Sequence, residues 1–328
     1  MEETGKQPTL TPFLAVVVTL FLLRVLIAYV TLPLALAGFL SLLATFVFVG
    51  APILALFSAA KFRWTAIHAV GFVLLGVALH VGGYLIGGRL LGGQGLAGIL
   101  LLSAAQAGLM IWCLGLGALV STKITDKNLL IPIAIFLAGF DVFLVFSPTG
   151  PTKMLVQQQP EVFQAVAMSV PKVATEAPPT GAAIQTLAYV GPADLFFLGM
   201  FFVALFKFNM RTRQTLIAII PVLIAYLLVV LYLGGVQIGP VSLSMLPALL
   251  PIGLTVLIVN WREFRMTSQE KVSTVVVGLL AFGLAAGGLV MAYRKKQAQP
   301  PEPSPAAGVP VPPKSDGSPA PAPSNPPQ

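Results

Sequence analysis

The chain has 328 residues, of which 57% are hydrophobic and only 9% are charged, and it carries a formal net charge of +8. Because an ordinary soluble domain carries about 25% charged residues, this composition excludes that class and indicates a polytopic membrane protein. The positive charge does not indicate a nucleic-acid partner, since the sequence has no basic run interleaved with aromatic residues.

Long apolar stretches recur along the chain as far as residue 293. A transmembrane helix needs roughly 20 predominantly apolar residues, and the chain holds about nine such stretches. The predicted fold class is therefore all-α, a polytopic transmembrane helix bundle of about nine helices. The predicted spans are residues 12–32, 34–58, 64–87, 96–121, 129–147, 187–206, 214–234, 241–259 and 273–293.

Two regions interrupt the apolar pattern. Residues 148–186 form a long connection that contains Pro160 and Pro171, and a loop of this length inside a bundle is usually functional or disordered. Residues 297–328 are rich in Pro, Ala and Ser, which predicts a disordered, extended tail.

Two isolated side chains in the apolar spans are predicted to have structural roles. Arg24 lies midway along the first span, where its side chain can reach the membrane surface or pair with a carboxylate in the bundle. The one cysteine, Cys113, lies in an apolar stretch, which predicts a small buried side chain and leaves no thiolate metal cluster.

Only two acidic side chains lie among apolar residues. Asp141 falls within LAGFDVFLVFSPTG, and Asp194 falls within YVGPADLFFLGMFF at the start of the span that follows the long loop. A carboxylate is costly in hydrocarbon, so these two residues indicate a function. Consecutive helices joined by a loop can run antiparallel, which would place both aspartates near one membrane face, where they could meet.

Two carboxylates in a site of low dielectric and within hydrogen-bonding reach cannot both ionise, so such a pair shares one proton. The ionised member can take a proton from water while the protonated member polarises a peptide carbonyl, as in aspartic proteases. This chemistry needs no cofactor and no metal. Two alternatives remain open: a proton- or cation-coupled transporter or channel that uses the same aspartates, and two aspartates that are only hydrogen-bonded within the bundle.

Three short motifs carry a resemblance to a known family. FDVFLVFSP at 140–148 is similar to the Tyr-Asp helix of the GxGD intramembrane aspartyl proteases, the presenilin and signal peptide peptidase group. GPAD at 191–194 occupies the position of their Gly-x-Gly-Asp, and LPALLP at 246–251 matches their Pro-Ala-Leu (PAL) motif in the expected order. SVPKV at 169–173 and NWREF at 260–264 resemble the signal peptide peptidase branch more closely.

The resemblance implies an intramembrane aspartic endopeptidase that cuts transmembrane helices or signal peptides in the lipid bilayer. Two departures, a Phe in place of the motif tyrosine and an Ala in place of the second motif glycine, leave open a catalytically impaired member that binds membrane proteins. By resemblance the catalytic pair is Asp141 and Asp194, and the substrate-binding residues are Pro247, Ala248, Leu249, Phe140, Gly191 and Ala193.

The predicted spans and the three motifs together divide the chain into five parts. Compared with the family, the first motif follows about five helices where the family has six, and one extra helix follows the PAL span. The parts are the N-terminal helices that end in the first-aspartate helix (1–147), the loop between the catalytic helices (148–186), the C-terminal catalytic helices with GPAD and PAL (187–259), the extra helix (260–296) and the tail (297–328).

The distribution of lysine and arginine predicts the orientation. Alternate connections hold most of the basic residues, so the positive-inside rule places the N-terminus in the cytoplasm and the 148–186 loop outside. This is the signal peptide peptidase orientation and implies type II substrates, although the RKK at 294–296 argues against it. Part of the loop, KMLVQ at 153–157, is a candidate strand edge for an unwound substrate. The basic side holds Lys6, Lys61, Arg63, Lys123, Lys127, Lys207, Arg211, Arg213, Arg262, Arg265 and Lys271, and the other side holds Arg89, Lys153 and Lys172.

Overall fold

The computed structural model is mostly helical, and six helices among the described residues are long and apolar enough to cross a membrane. This agrees with the predicted helical membrane bundle. The structure describes residues 9–148, 150, 154–155, 158–175, 182–233, 236–238, 241–242 and 246–298. The predicted tail at 297–328 lies outside the described residues, apart from its first two positions.

Five long helices precede the 148–186 loop. A π-helical segment, Tyr84–Leu90, continues the third of them, and a short 3-10 turn, Lys127–Leu129, leads into the fifth. The five are α1 (Thr11–Ile27), α2 (Leu34–Ala60), α3 (Ala66–Gly83), α4 (Gly95–Lys123) and α5 (Leu130–Phe146).

The second half of the chain adds two short antiparallel hairpins to the helices, so the prediction of an all-α fold is incomplete. Strand β1 pairs with β2 and β3 pairs with β4. The elements are α6 (Pro160–Val166), β1 (Met168–Lys172), β2 (Gln185–Val190), α7 (Pro192–Lys207), α8 (Thr212–Leu233), β3 (Gln237–Ile238), β4 (Val241–Ser242), α9 (Leu249–Asn260) and α10 (Ser268–Ala298).

Three predicted spans run at least five residues past the helix that the structure has, because the chain bends into a turn or a strand there. The first span, predicted to reach residue 32, ends at Ile27, before Pro33 caps α2. The sixth, predicted from 187, begins at Pro192, because the residues before it form β2. The eighth, predicted from 241, begins at Leu249. Hydropathy identifies an apolar segment but does not separate a buried strand from a helix.

Helix α4 lies at the centre of the bundle, where it packs against α1, α3, α7 and β1. Glycines allow the backbones to approach closely. A Cβ atom at Gly108 would lie 2.6 Å from the backbone nitrogen of His80 in α3, and one at Gly117 would lie 2.7 Å from the backbone nitrogen of Met200 in α7. Small residues at helix crossings serve this purpose in membranes. His80 adds an interhelical hydrogen bond between its Nδ1 and the carbonyl oxygen of Ala105, at 2.9 Å.

Four connections between helices meet at one end of the bundle, which we call the basic end. Lys61 Nζ lies 6.0 Å from the ring centre of Phe206, and Arg211 Nε lies 3.1 Å from Glu263 Oε1. Asn128 donates a hydrogen bond to the carbonyl oxygen of Arg265 at 3.0 Å. These contacts join the α2–α3, α4–α5, α7–α8 and α9–α10 connections, so the four described connections that carry the predicted basic side lie together, whereas Lys6 lies outside the described residues.

Helix α10 begins at the basic end, where Glu270 accepts a hydrogen bond from Asn128. Its 31 residues span about 46 Å at 1.5 Å per residue, so residues 294–296, the RKK segment, lie at the opposite end. The helix packs along α5, and a Cβ at Gly139 of α5 would lie 2.5 Å from the carbonyl oxygen of Ala281. The extra C-terminal helix therefore covers one side of the helix that carries Asp141.

Candidate active site

Asp194 lies in the first turn of α7, directly after a glycine with extended backbone. Gly191 is the N-cap residue, Pro192 takes the first helical position, and the Asp194 backbone N–H donates to the carbonyl oxygen of Gly191 at 3.2 Å. Proline suits this position because its missing N–H would have no helical partner there. A Cβ at Gly191 would lie 3.1 Å from Asp194 Oδ2. The glycine of GPAD therefore leaves room for the carboxylate, which a larger residue would push aside by a few tenths of an ångström.

Asp141 lies in α5 and binds the PAL motif. Its Oδ2 accepts a hydrogen bond of 2.8 Å from the backbone N–H of Leu249, the first residue of α9. The first N–H groups of a helix have no partner within it, so the start of α9 after Pro247 and Ala248 supplies a free donor. A backbone group of the PAL segment therefore contacts the Asp141 carboxylate.

The two aspartates come from different helices and interact electrostatically with each other. The hydroxyl group of Tyr226 on α8 interacts with both of them. Three helices and the start of a fourth therefore converge on one site. The sequence indicated the two aspartates and the PAL segment, but not Tyr226. In the sequence, Tyr226 could have been found as a polar side chain on the same helical face as Thr212, Thr215 and Ile219.

Contacts along the whole length of α7 fix the position of Asp194. Near its start, the Cys113 thiol donates to the carbonyl oxygen of Pro192 at 3.4 Å. At its end, Lys207 Nζ donates to the carbonyl oxygens of Ser121 and Ile124, at 3.0 and 2.6 Å. A lysine suits the C-terminal carbonyls of α4, which carry partial negative charge. The predicted burial of Cys113 is confirmed.

Arg24 fixes the hairpin that leads into α7. The guanidinium is buried and donates to the carbonyl oxygen of Ser169 in β1 at 2.6 Å, and also to the Ser169 hydroxyl. Gln106 of α4 accepts from the backbone N–H of Ser169 at 3.1 Å. The alternative that Arg24 pairs with a carboxylate is wrong within the described part of the chain. The arginine instead bonds a backbone carbonyl and a side-chain hydroxyl of a strand that lies beside α1.

The two residues that depart from the family motifs lie on the outside of the protein. The Phe140 ring is 36% exposed and stacks on Phe136, with ring centres 5.7 Å apart. Ala193 is exposed, one residue before Asp194. Neither side chain is directed between the aspartates, so a substrate contact is the role that remains predicted for both. Pro247 is buried and Ala248 is partly buried beside Leu249.

Comparison with known proteins gave no matching family model, curated protein or solved structure.

Proposed function

We propose that the chain is an intramembrane aspartic endopeptidase with about nine membrane-embedded helices, arranged as in the presenilin and signal peptide peptidase group. The observation that carries the proposal is the hydrogen bond from the Leu249 N–H to Asp141 Oδ2, together with the electrostatic influence of Asp141 on Asp194. Three motifs that lie far apart in the sequence thus meet at one site. A transporter needs the two acids but gives no reason for the PAL contact.

The two aspartates would hydrolyse a peptide bond by proton transfer. The ionised carboxylate takes a proton from water as the water oxygen attacks the carbonyl carbon, and the protonated carboxyl gives its proton to the carbonyl oxygen. The resulting gem-diol loses a proton from one hydroxyl as its C–N bond breaks, and the leaving nitrogen is protonated. One proton is shared between the acids before and after the cycle.

The hairpin gives an unwound substrate a place to bind. The outer edge of β1 is occupied by Arg24 and Gln106, which bond its backbone groups, whereas β2 has only β1 as a strand neighbour in the described chain. An extended peptide that pairs with the free edge of β2 would run towards Asp194, since Gly191 alone separates β2 from α7. The earlier candidate, residues 153–157, falls mostly outside the described residues.

The basic end supports the proposed orientation, in which the N-terminus is cytoplasmic and substrates are type II. The positive-inside rule assigns the cluster of basic connections to the cytoplasm. Asp141 lies about three turns from the basic end of α5, which places the site towards the opposite face. The RKK segment then lies outside, and the rule is satisfied by the majority of the short connections rather than by all of them.

A reconstitution experiment tests the proposal. The purified chain is placed in liposomes with a type II transmembrane peptide, and the products are identified by mass spectrometry. We expect cuts within the apolar stretch of the peptide. Intact peptide, combined with proton or cation flux that depends on the aspartates, would support the transporter instead. Intact peptide without flux, but with specific peptide binding, would support the impaired binder.

The closeness of Gly191 to Asp194 gives a site-specific prediction. In the Gly191→Ala variant, the new methyl group would lie 3.1 Å from Asp194 Oδ2 and turn the carboxylate away from its partner. The carboxylate must shift by only a few tenths of an ångström, which is less than the displacement of about 1 Å that can cost about 10²-fold in rate, so we expect kcat to fall by about tenfold. The melting temperature should change little, and unchanged kcat would contradict this view of GPAD.

A further inference from the structure

Tyr226 carries a buried hydroxyl group that forms no hydrogen bond with any residue the structure describes. Its hydroxyl oxygen is shielded from solvent and has no hydrogen-bond partner within the described part of the chain. Most buried polar side-chain atoms in proteins are hydrogen-bonded, and an unsatisfied one calls for a functional explanation. Another tyrosine of the same helix, Tyr232, is 71% exposed. Helix α8 therefore offers one tyrosine that faces inwards and one that faces outwards.

The register of α8 against α9 places Tyr226 at the depth of the aspartate site. Near the basic end, Asn260 Nδ2 donates to Thr215 Oγ1 at 2.9 Å. This bond joins the start of α8 to the end of α9, so the two packed helices run antiparallel. Tyr226 lies about three turns beyond Thr215, and Leu249 lies about three turns before Asn260. Tyr226 is therefore level with the residue that binds Asp141.

The direction of the Tyr226 side chain agrees with its depth. Thr215 and Ile219 are fully buried, and Tyr226 follows them at the spacing that keeps residues on one helical face. The hydroxyl interacts electrostatically with Asp141 and Asp194. Depth, direction and burial thus place this hydroxyl inside the bundle at the level of the aspartate site, with no hydrogen-bond partner among the described residues.

We propose that Tyr226 is a positioning residue of the aspartate pair, whose hydroxyl donates a hydrogen bond to a carboxylate oxygen of the pair. This inference rests on the proposed proteolytic function. The hydrogen bond would hold one carboxylate in the orientation that the proton transfers need, which side-chain packing alone does not fix. Phe140, at the motif position of a tyrosine, lacks a hydroxyl and lies outside the site. The hydroxyl of this site therefore comes from a different helix.

The test compares Tyr226→Phe with Tyr232→Phe in the reconstituted cleavage assay. Both changes remove one hydroxyl from α8, but only the first removes it from the site. A hydrogen bond to a charged group contributes enough to change a rate by about 10- to 100-fold. We expect Tyr226→Phe to lower kcat by that factor while KM stays within about twofold, and Tyr232→Phe to match wild type in both.

A second measurement separates positioning from a structural role. A peptide with a hydroxyl isostere at the scissile bond mimics the tetrahedral state, so Tyr226→Phe should weaken its binding about as much as it lowers kcat. Binding of the unmodified peptide should not change. If wild-type cleavage depends on both aspartates but Tyr226→Phe keeps its kcat, or loses only thermal stability, the role of Tyr226 is wrong and the protease proposal stands. If wild type does not cleave, both proposals fall.

Discussion

Asp141→Asn and Asp194→Asn are each expected to eliminate cleavage of a transmembrane peptide, with a loss of at least about 10³-fold in kcat. An asparagine has nearly the shape of an aspartate but neither takes nor gives a proton under these conditions, and proton transfer by positioned groups contributes about 10²–10⁴-fold. Because the pair works as a unit, the double variant should be no worse than either single variant. Quantitative mass spectrometry of the products measures the loss.

Asp126→Asn is the matched control for these variants. Asp126 lies at the basic end, where its carboxylate accepts from the backbone N–H of Asn128 at 2.8 Å, and asparagine caps such turns equally well. We expect wild-type cleavage from this variant. If either Asp141→Asn or Asp194→Asn retained substantial activity, the two acids would not act together as the reacting groups, and the proton-sharing mechanism would be wrong.

Gly117→Ala is expected to damage both the fold and the site. The added Cβ would lie 2.7 Å from the backbone nitrogen of Met200 and from the backbone oxygen of Phe196, so α4 and α7 must move apart. Overpacking of this kind costs about 1–3 kcal/mol of unfolding free energy. Because α7 carries Asp194, we also expect kcat to fall by about 10²-fold. Thermal unfolding in detergent and the cleavage assay measure the two effects.

Gly71→Ala provides the comparison for Gly117→Ala. Gly71 is in α3, and a Cβ there would meet no atom within 4 Å. Alanine is favoured over glycine in a helix by up to about 1 kcal/mol, so this variant should be as stable as wild type or slightly more stable. Equal behaviour of the two variants would mean that the close contact of α4 with α7 does not determine the position of Asp194.

The sequence identifies most of the helices because hydropathy and length are direct requirements of a membrane span. It also indicates Asp141 and Asp194 as the candidate site residues, since few acids can remain among apolar residues without a function. The prediction of helices from hydropathy is wrong at the start of two spans. Residues 187–190 are apolar enough for a helix but belong to the strand that pairs with β1. The segment directly before Leu249 is also apolar, but the helix begins only at Leu249. A single sequence contains no signal for a strand pairing between distant segments.

Tyr226 and Arg24 illustrate a second limit of the sequence. Each is a polar residue in a largely apolar helix, and the groups with which it interacts lie on other elements far along the chain. Arg24 binds Ser169, which is 145 residues away, and the Tyr226 hydroxyl interacts electrostatically with aspartates of two other helices. Helical periodicity gives the face on which such a residue lies but not the element opposite that face. The assignment of both residues therefore required the packed structure.

The most direct test of the central claim measures whether Asp141 and Asp194 share one site. In a Cys113→Ser background, Asp141→Cys/Asp194→Cys is treated with a short bifunctional thiol reagent, and the chain is then cut at a protease site introduced into the 148–186 loop. We predict that the two fragments stay covalently joined. The control pair Phe140→Cys/Asp194→Cys should separate, because Phe140 lies on the outer face of α5. Separation of the 141/194 pair would contradict the account.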